Sequence, residues 1–306
     1  MPELPDIELY LHALRPRIAG QRLQRIRLAS PFLVRSVDPP IHAADGKLVT
    51  GLRRLGKLVV WEMEDELFLV IHLMIAGRFR WTGAGAKVPG KLGLAAFDFP
   101  SATLLLTEAG SQRRASVHLV RGERALAELD PGGIEVLGST VAEFASVLAR
   151  ENHTLKRALT DPRFFSGIGN AYSDEILHAA KLSPLQLTNR LTTEQVSQLH
   201  GHVVRVLTQW RDALIAETGD AFPEKVTAFR DQMAAHGRYG KPCPACGTPI
   251  QRIKYASNEA NYCPTCQTGG KLLADRGLSR LLKGDWPKTI EELYRRSRDQ
   301  EKSFKN

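Results

Sequence analysis

Apolar positions along this chain change period twice, and those changes divide it. Ile7, Leu11, Leu14 and Ile18 recur at helical spacing, with Asp6 placed to cap the start and Gly20 at the end, so the spacing predicts one helix behind the amino terminus. From Gln21 to about Val120 short apolar runs replace it: Leu58 to Met63, Leu67 to His72, Arg78 to Trp81, Leu92 to Phe99, Ala102 to Thr107 and Ser116 to Val120. Asp65-Glu66 and Pro100-Ser101 supply turn residues between runs, and the stretch is read as a β-sandwich or barrel-like domain.

The run Leu129-Asp130-Pro131-Gly132-Gly133 is a linker by its turn residues. Beyond it the period is helical again over Val141 to Ala149, Thr154 to Thr160 and Ala171 to Ala180. A longer helix follows, carrying Val196, Leu199, Val203, Leu207, Trp210 and Leu214 as its core face. The tail from Gln267 is basic but keeps Leu272, Leu273, Leu278, Leu281, Leu282, Trp286, Leu293 and Tyr294, too apolar to be wholly disordered. It is expected to pack or to bind a partner, whose identity the residues do not give.

A length of 306 residues suits two domains with real cores. There is no apolar run long enough to cross a membrane and no signal-peptide layout, so a cytoplasmic protein, associated with the nucleoid if bacterial, is expected, without a membrane partner. The formal net charge of +9 favours a polyanionic partner, of which nucleic acid is the commonest. All four cysteines fall late, as Cys243-x2-Cys246 and Cys263-x2-Cys266 with sixteen residues between the pairs. That spacing reads as a zinc ribbon with four thiolate ligands, the other reading being redox thiols. Four protein ligands close the coordination shell, so the Zn2+ is structural.

Two segments carry candidate chemistry. If Met1 is trimmed, Pro2 presents a secondary amine that titrates near pH ~8, well below the ~10.4 of lysine, and is a plausible covalent nucleophile toward a sugar carbon. Glu3 beside it is the natural proton donor or acceptor. The second segment, Phe165-Ser166-Gly167-Ile168-Gly169-Asn170, precedes a helix: Gly167 and Gly169 permit a tight turn, and Asn170 is placed to cap that helix and reach a phosphate. The plainer reading is a glycine hinge. Lys156 and Arg157 put cations on the same unit.

The Pro-Glu-Leu-Pro-Asp start, Gly56-Lys57, the Gly-Ile-Gly-Asn-Ala-Tyr-Ser-Asp-Glu-Ile-Leu segment and the cysteine pairs occur in one order, over residues 2 to about 266. In this the chain resembles the formamidopyrimidine-DNA glycosylase and endonuclease VIII family, nearer the formamidopyrimidine branch. The resemblance implies an α+β multidomain fold: a catalytic β-sandwich over 2–130, a helix-two-turns-helix DNA-binding domain over 134–236, a zinc ribbon over 237–268 and a basic extension over 269–306. It implies a monomeric base excision repair enzyme, a DNA glycosylase with AP lyase activity acting on damaged or abasic DNA, duplex or single-stranded. Pro2 would form a Schiff base with the sugar of a flipped nucleotide, Glu3 would move protons, and Lys57 would act near the scissile phosphates. Asn170, Gly167, Gly169, Lys156, His72 and Arg113 fall at or near DNA-contacting positions.

Three positions depart from the family's pattern. Asn258 stands where the ribbon has a phosphate-clamping arginine, Ile75 where a methionine fills the gap left by the flipped base, and Ala115 where a phenylalanine wedges the duplex. Met74 is then a candidate substitute wedge, or a core or edge-strand residue. The stretch from Glu217 to Gly240 is also short beside the family's lesion-capping loop. These departures keep a second reading open, a non-catalytic or lyase-only protein that binds DNA damage or structure on the same scaffold.

Overall fold

The computed structural model describes residues 1–306 except 111, 228, 256–257, 276–280, 282–284, 286 and 304–306, and it describes no side chains over 297–303. Of the tail residues singled out above, Leu278, Leu282 and Trp286 lie outside the described set. The chain forms two compact units, one of Met1–Glu135 with Leu207–Ala228, the other of Val136–Val206 with Phe229–Asn306.

The first unit opens with helix α1, Leu4–Ile18. Glu3 is its N-cap in extended conformation, and Asp6, expected as the cap, sits one turn in with its carboxylate accepting the Glu3 N–H at 3.0 Å. The acid side chain thus satisfies one of the orphan donors at the helix start. Pro5 in the first turn has no N–H to leave unpaired. Ile7, Leu11, Leu14 and Ile18 are all buried, and each contributes on the order of 1.5–3 kcal/mol of apolar burial.

Two antiparallel four-stranded sheets follow. One contains β1 (Arg25–Leu28), β6 (Gly93–Asp98), β7 (Ala102–Glu108) and β5 (Gly77–Gly83), in that order across the sheet. The other runs β2 (Val49–Leu55), β3 (Leu58–Met63), β4 (Leu67–His72) and β8 (Ser116–Arg121). Their inner faces share one core with α1, in which Trp61 meets Phe97 edge-on at 5.1 Å. The outer face of the second sheet buries Val60, Phe68, Val70 and Val120 against Leu126 of α2, Gly122–Ala127. Buried on both faces over most of their length, β3 and β4 read as apolar runs without alternation, broken in β3 by the half-buried Glu62.

In the second unit α3 (Val141–Ala149) starts with a capping box between Thr140 and Glu143, and α4 (Leu155–Thr160) and α5 (Asn170–Ala179) follow. The 26-residue α6, Thr193–Thr218, contributes residues to both units. The cysteine ribbon is a hairpin of β9 (Gln251–Lys254) and β10 (Glu259–Tyr262), closed by α7, Pro264–Thr268.

The described part of the tail packs on that ribbon. Leu272 N–H donates to Lys288 at 2.8 Å and Ile290 N–H to Gly270 at 3.0 Å, so two tail segments pair ahead of α8, Ile290–Ser303. Leu273 N–H reaches the Tyr262 hydroxyl at 2.8 Å, and Asp275, buried, accepts from Lys254 N–H on β9 at 2.6 Å. Among the described residues no helix is long and apolar enough to cross a membrane.

Candidate functional site

The first unit brings the amino terminus, Glu3 and Lys57 together. Pro2 and Glu3 are buried at the head of α1, and burial holds the amine of Met1, which precedes them, below its ordinary value of 8.0. Glu3 and Asp6 oppose that shift, while Arg78 and Lys57 add to it. Lys57 is likewise pushed below the ordinary lysine value by desolvation, with Glu3 pulling the other way. The Met1 amine, the Lys57 amine and the Glu3 carboxylate are therefore within electrostatic reach of one another in a partly water-excluded place. Each amine is easier to deprotonate there than in water.

Local sequence fixes Lys57 in this position. Leu55 pairs with Leu58, so Gly56 and Lys57 form a two-residue hairpin turn, and Gly56 takes φ 58°, a value glycine adopts freely. Arg78 enters β5 just after the turn carrying Ile75 and donates to the Ile75 and Gly77 carbonyls at 3.2 and 2.6 Å. No sequence signal marked Arg78, an ordinary strand cation until the fold sets it beside the amine.

His72, at the end of β4, is half-buried, and its Nε2 has no hydrogen-bond partner among the described residues. Burial, then the charge of Lys57 and of His118, pushes its pKa down to about 4. At neutral pH it is an uncharged imidazole with one unused nitrogen. Ile75 is 57% exposed at the tip of its turn, and Met74 occupies the same turn at φ 51°, in neither a strand nor the core. Arg113 is exposed and donates to the Lys91 carbonyl. Ala115 is buried in the core, because the Glu108 carboxylate accepts the N–H of Arg114 and of Ala115 (3.1 Å) and folds this loop inward. It therefore presents no wedge at the surface.

In the second unit the glycine turn leads into α5. Gly167 takes φ 82°, whereas Gly169 is the extended N-cap, so only Gly167 needs the conformational freedom of glycine. Asn170 is the first helical residue and does not cap α5 with its side chain; its Nδ2 donates to the Glu259 carbonyl on β10 at 3.0 Å. Lys156 lies underneath, buried, donating to the Asn170 carbonyl at 2.6 Å and to Asp174 at 2.5 Å. Its place is inside the turn, holding it, where the sequence suggested a cation along a DNA path. Asp174 also meets His236 Nδ1 at 2.8 Å, and Glu175 accepts three backbone N–H groups from Ala234 to His236.

Asn258 is exposed at the hairpin tip, its carbonyl closing the turn with Tyr255 N–H at 2.8 Å. A guanidinium does occur on this hairpin: Arg252 lies 4.1 Å over the Tyr239 ring and 3.4 Å from the Glu259 carboxylate. The four cysteine Sγ atoms lie within 4.8 Å of one another, with Cys246 and Cys263 at 3.4 Å and Cys243 and Cys266 at 4.0 Å. Tetrahedral zinc thiolate bonding needs sulfur separations of about 3.8 Å, so the set fits a structural zinc. His178 Nε2, 3.2 Å from Cys243 Sγ, is placed to hydrogen-bond that thiolate from the outer shell.

Comparison with known proteins gives matches along most of the chain. Residues 1–118 match the formamidopyrimidine-DNA glycosylase N-terminal domain, 135–216 the formamidopyrimidine-DNA glycosylase H2TH domain and 240–269 the zinc finger found in FPG and IleRS. A formamidopyrimidine-DNA glycosylase of Moorella thermoacetica is 31% identical over 268 residues, covering 83% of this chain and 95% of that protein. One from Symbiobacterium thermophilum is 30% identical over 282 residues, 87% and 89% of the two chains. An uncharacterized formamidopyrimidine-DNA glycosylase-like protein of Mycobacterium tuberculosis is 41% identical over 151 residues, 49% of this chain and 94% of its own. Among solved structures, wild-type Lactococcus lactis Fpg in complex with DNA containing N7-benzyl-Fapy-dG superposes with a TM-score of 0.77 at 25% identity, over 87% of this chain and all of that one.

Proposed function

This chain belongs to the formamidopyrimidine-DNA glycosylase family, DNA repair glycosylases with AP lyase activity, and we propose that its own reaction runs through the Pro2 amine. The observation that carries this reading is the burial of Pro2 and Glu3 at the head of α1, with Lys57 on the β2–β3 turn within electrostatic reach of Glu3; with Met1 still in place, burial holds the Met1 amine below its ordinary value. Removal of Met1 puts the Pro2 nitrogen at the terminus. A neutral secondary amine there attacks C1′ of a nucleotide turned out of the stack, the bond from C1′ to the base nitrogen breaks, and the base leaves with a proton. Glu3 then protonates O4′ as the C1′–O4′ bond breaks, which opens the sugar and leaves an iminium between the Pro2 nitrogen and C1′.

The resulting iminium acidifies C2′. Loss of that proton pushes electrons toward C3′ and expels the 3′ phosphate, and water then hydrolyses the iminium to free Pro2. Lys57 holds the sugar-phosphate beside the amine. Asn170 takes a neighbouring phosphate, a contact that fixes register without reading sequence.

Substrate preference follows from the departures. Fpg of Lactococcus lactis has been crystallised with DNA containing N7-benzyl-Fapy-dG and with DNA containing an oxidised pyrimidine. Here Ala115 is buried and Ile75 alone protrudes from its turn, so eversion of a well-stacked base receives little help. Abasic sites and lesions already unpaired cost least to flip and are the substrates we assign. Strand cleavage across duplexes carrying an abasic site, Fapy-dG, an oxidised pyrimidine or no lesion tests this. Cleavage fastest at the abasic site supports the assignment, and cleavage of the paired lesions at equal or greater rates overturns it. Binding without cleavage of any of them would favour the second reading, a damage-binding protein, which the uncharged Asn258 at the ribbon tip supports.

A further inference from the structure

Arg54 lies at the end of β2, and its guanidinium has three partners. Nε donates to Glu8 at 3.0 Å, Nη1 to the Gly56 carbonyl at 2.9 Å and to Glu135 at 3.0 Å, and Nη2 to the second Glu135 oxygen. The side chain is 7% exposed. Ion pairs to Glu8 and to the half-exposed Glu135 are by themselves a poor argument for stability, because desolvation and screening by water offset much of their attraction. What sets this guanidinium apart is what its partners carry.

Glu8 is on α1, whose N-cap is Glu3, so the helix sets the place of Glu3 and of the amino terminus just before it. The Gly56 carbonyl belongs to the peptide joining Gly56 to Lys57, and because that unit is planar, fixing its oxygen fixes the direction in which Lys57 leaves the turn. One rigid fork therefore spans the two elements that must agree for the Lys57 amine to face Glu3. A lysine at 54 could pair with Glu8 as a point charge. It could not hold the carbonyl and both carboxylates in one plane.

We propose that Arg54 is a positioning residue for this reaction, acting through Lys57, a role that rests on the function proposed above for the lysine. Misplacement of a reacting group by about 1 Å costs up to roughly a hundredfold in rate. Its loss is felt at the chemical step and leaves duplex affinity unchanged, since the Arg54 side chain is little exposed and its donors named above are taken up by Glu8, Glu135 and the Gly56 carbonyl.

The test is a double-mutant cycle on Met1-processed protein with a duplex carrying an abasic site, reading the rate of borohydride-trapped adduct at saturating DNA and, separately, duplex affinity. Arg54→Ala is expected to slow trapping roughly tenfold to a hundredfold with affinity within about twofold of the parent, and Arg54→Lys to recover part of the loss. In a Lys57→Met background, itself slowed, Arg54→Ala is expected to cost less than about twofold more. If Arg54→Ala does not fold, Arg54→Lys in both backgrounds carries the same comparison. A loss that persists undiminished when Lys57 is absent, or no loss in the parent background, overturns the proposal while leaving the Lys57 reading in place. A Lys57→Met protein that traps at the parental rate removes the lysine's role, and this proposal with it.

Discussion

Asn170 Nδ2 lies 3.0 Å from the carbonyl oxygen of Glu259, so the start of α5 and the second strand of the cysteine ribbon are joined by a side chain with one amide hydrogen still to offer. Lys156 holds the same residue by its carbonyl from below. The expected consequence is that Asn170→Ala weakens duplex binding by about tenfold, the scale of one hydrogen bond to a charged group. Chelating the zinc should weaken it at least as much, because the ribbon then loses its fold. Fluorescence anisotropy with a labelled duplex checks both. Once the ribbon is unfolded the Asn170 substitution should cost little more, since the two act as one surface.

Asn258 offers a gain-of-function counterpart. Exposed at the hairpin tip, it has room for a longer side chain. Asn258→Arg is expected to tighten duplex binding and to steepen the slope of log affinity against log salt by about 1, the signature of one added phosphate contact. A salt titration of parent and variant reads that slope directly.

His72 gives a pH dependence whose sign is fixed. Its pKa falls from 6.5 to about 4 in the folded protein, with burial as the main cause. Between those values the unfolded chain binds a proton that the folded chain refuses, so stability is lost as pH falls from 6.5 toward 4 and is unaffected by this group above 6.5. Urea midpoints at neutral pH and near pH 5 should differ more for the parent than for His72→Gln. An equal difference in the two proteins would place the acid sensitivity elsewhere.

The apolar runs of β3 and β4, broken only by Glu62 before the end of β3, showed in the sequence because both faces of those strands are largely buried and turn residues follow β3. The cysteine spacing likewise announced four sulfurs that meet. Less visible were β1 and β2: Arg25-Ile26-Arg27-Leu28 and Val49-Thr50-Gly51-Leu52-Arg53-Arg54-Leu55 interleave arginines with apolar residues, and a bulge between Val49 and Gly51 breaks the alternation. Their pairing across the sheets settles what local propensity leaves open.

At the site, sequence order put Glu3 beside Pro2, but the approach of Lys57 and Arg78 to the amine is a product of sheet packing. The burial of Lys156 and of Ala115 was equally hidden, because each is drawn inward by a distant partner, Asp174 for the lysine and Glu108 for the alanine loop. A cation or a small residue in the sequence carries no mark of such a partner.

The most direct measurement is the identity of the atom that bonds to DNA. Met1-processed protein, trapped by borohydride on a duplex with an abasic site and digested, should yield one modified peptide, carrying the sugar remnant on the Pro2 nitrogen, and Pro2→Gly should lower its yield or rate. Protein retaining Met1 should give none. Modification mapping to Lys57 or another lysine, or an adduct that forms equally well with Met1 in place, would contradict the assignment of Pro2 as the nucleophile.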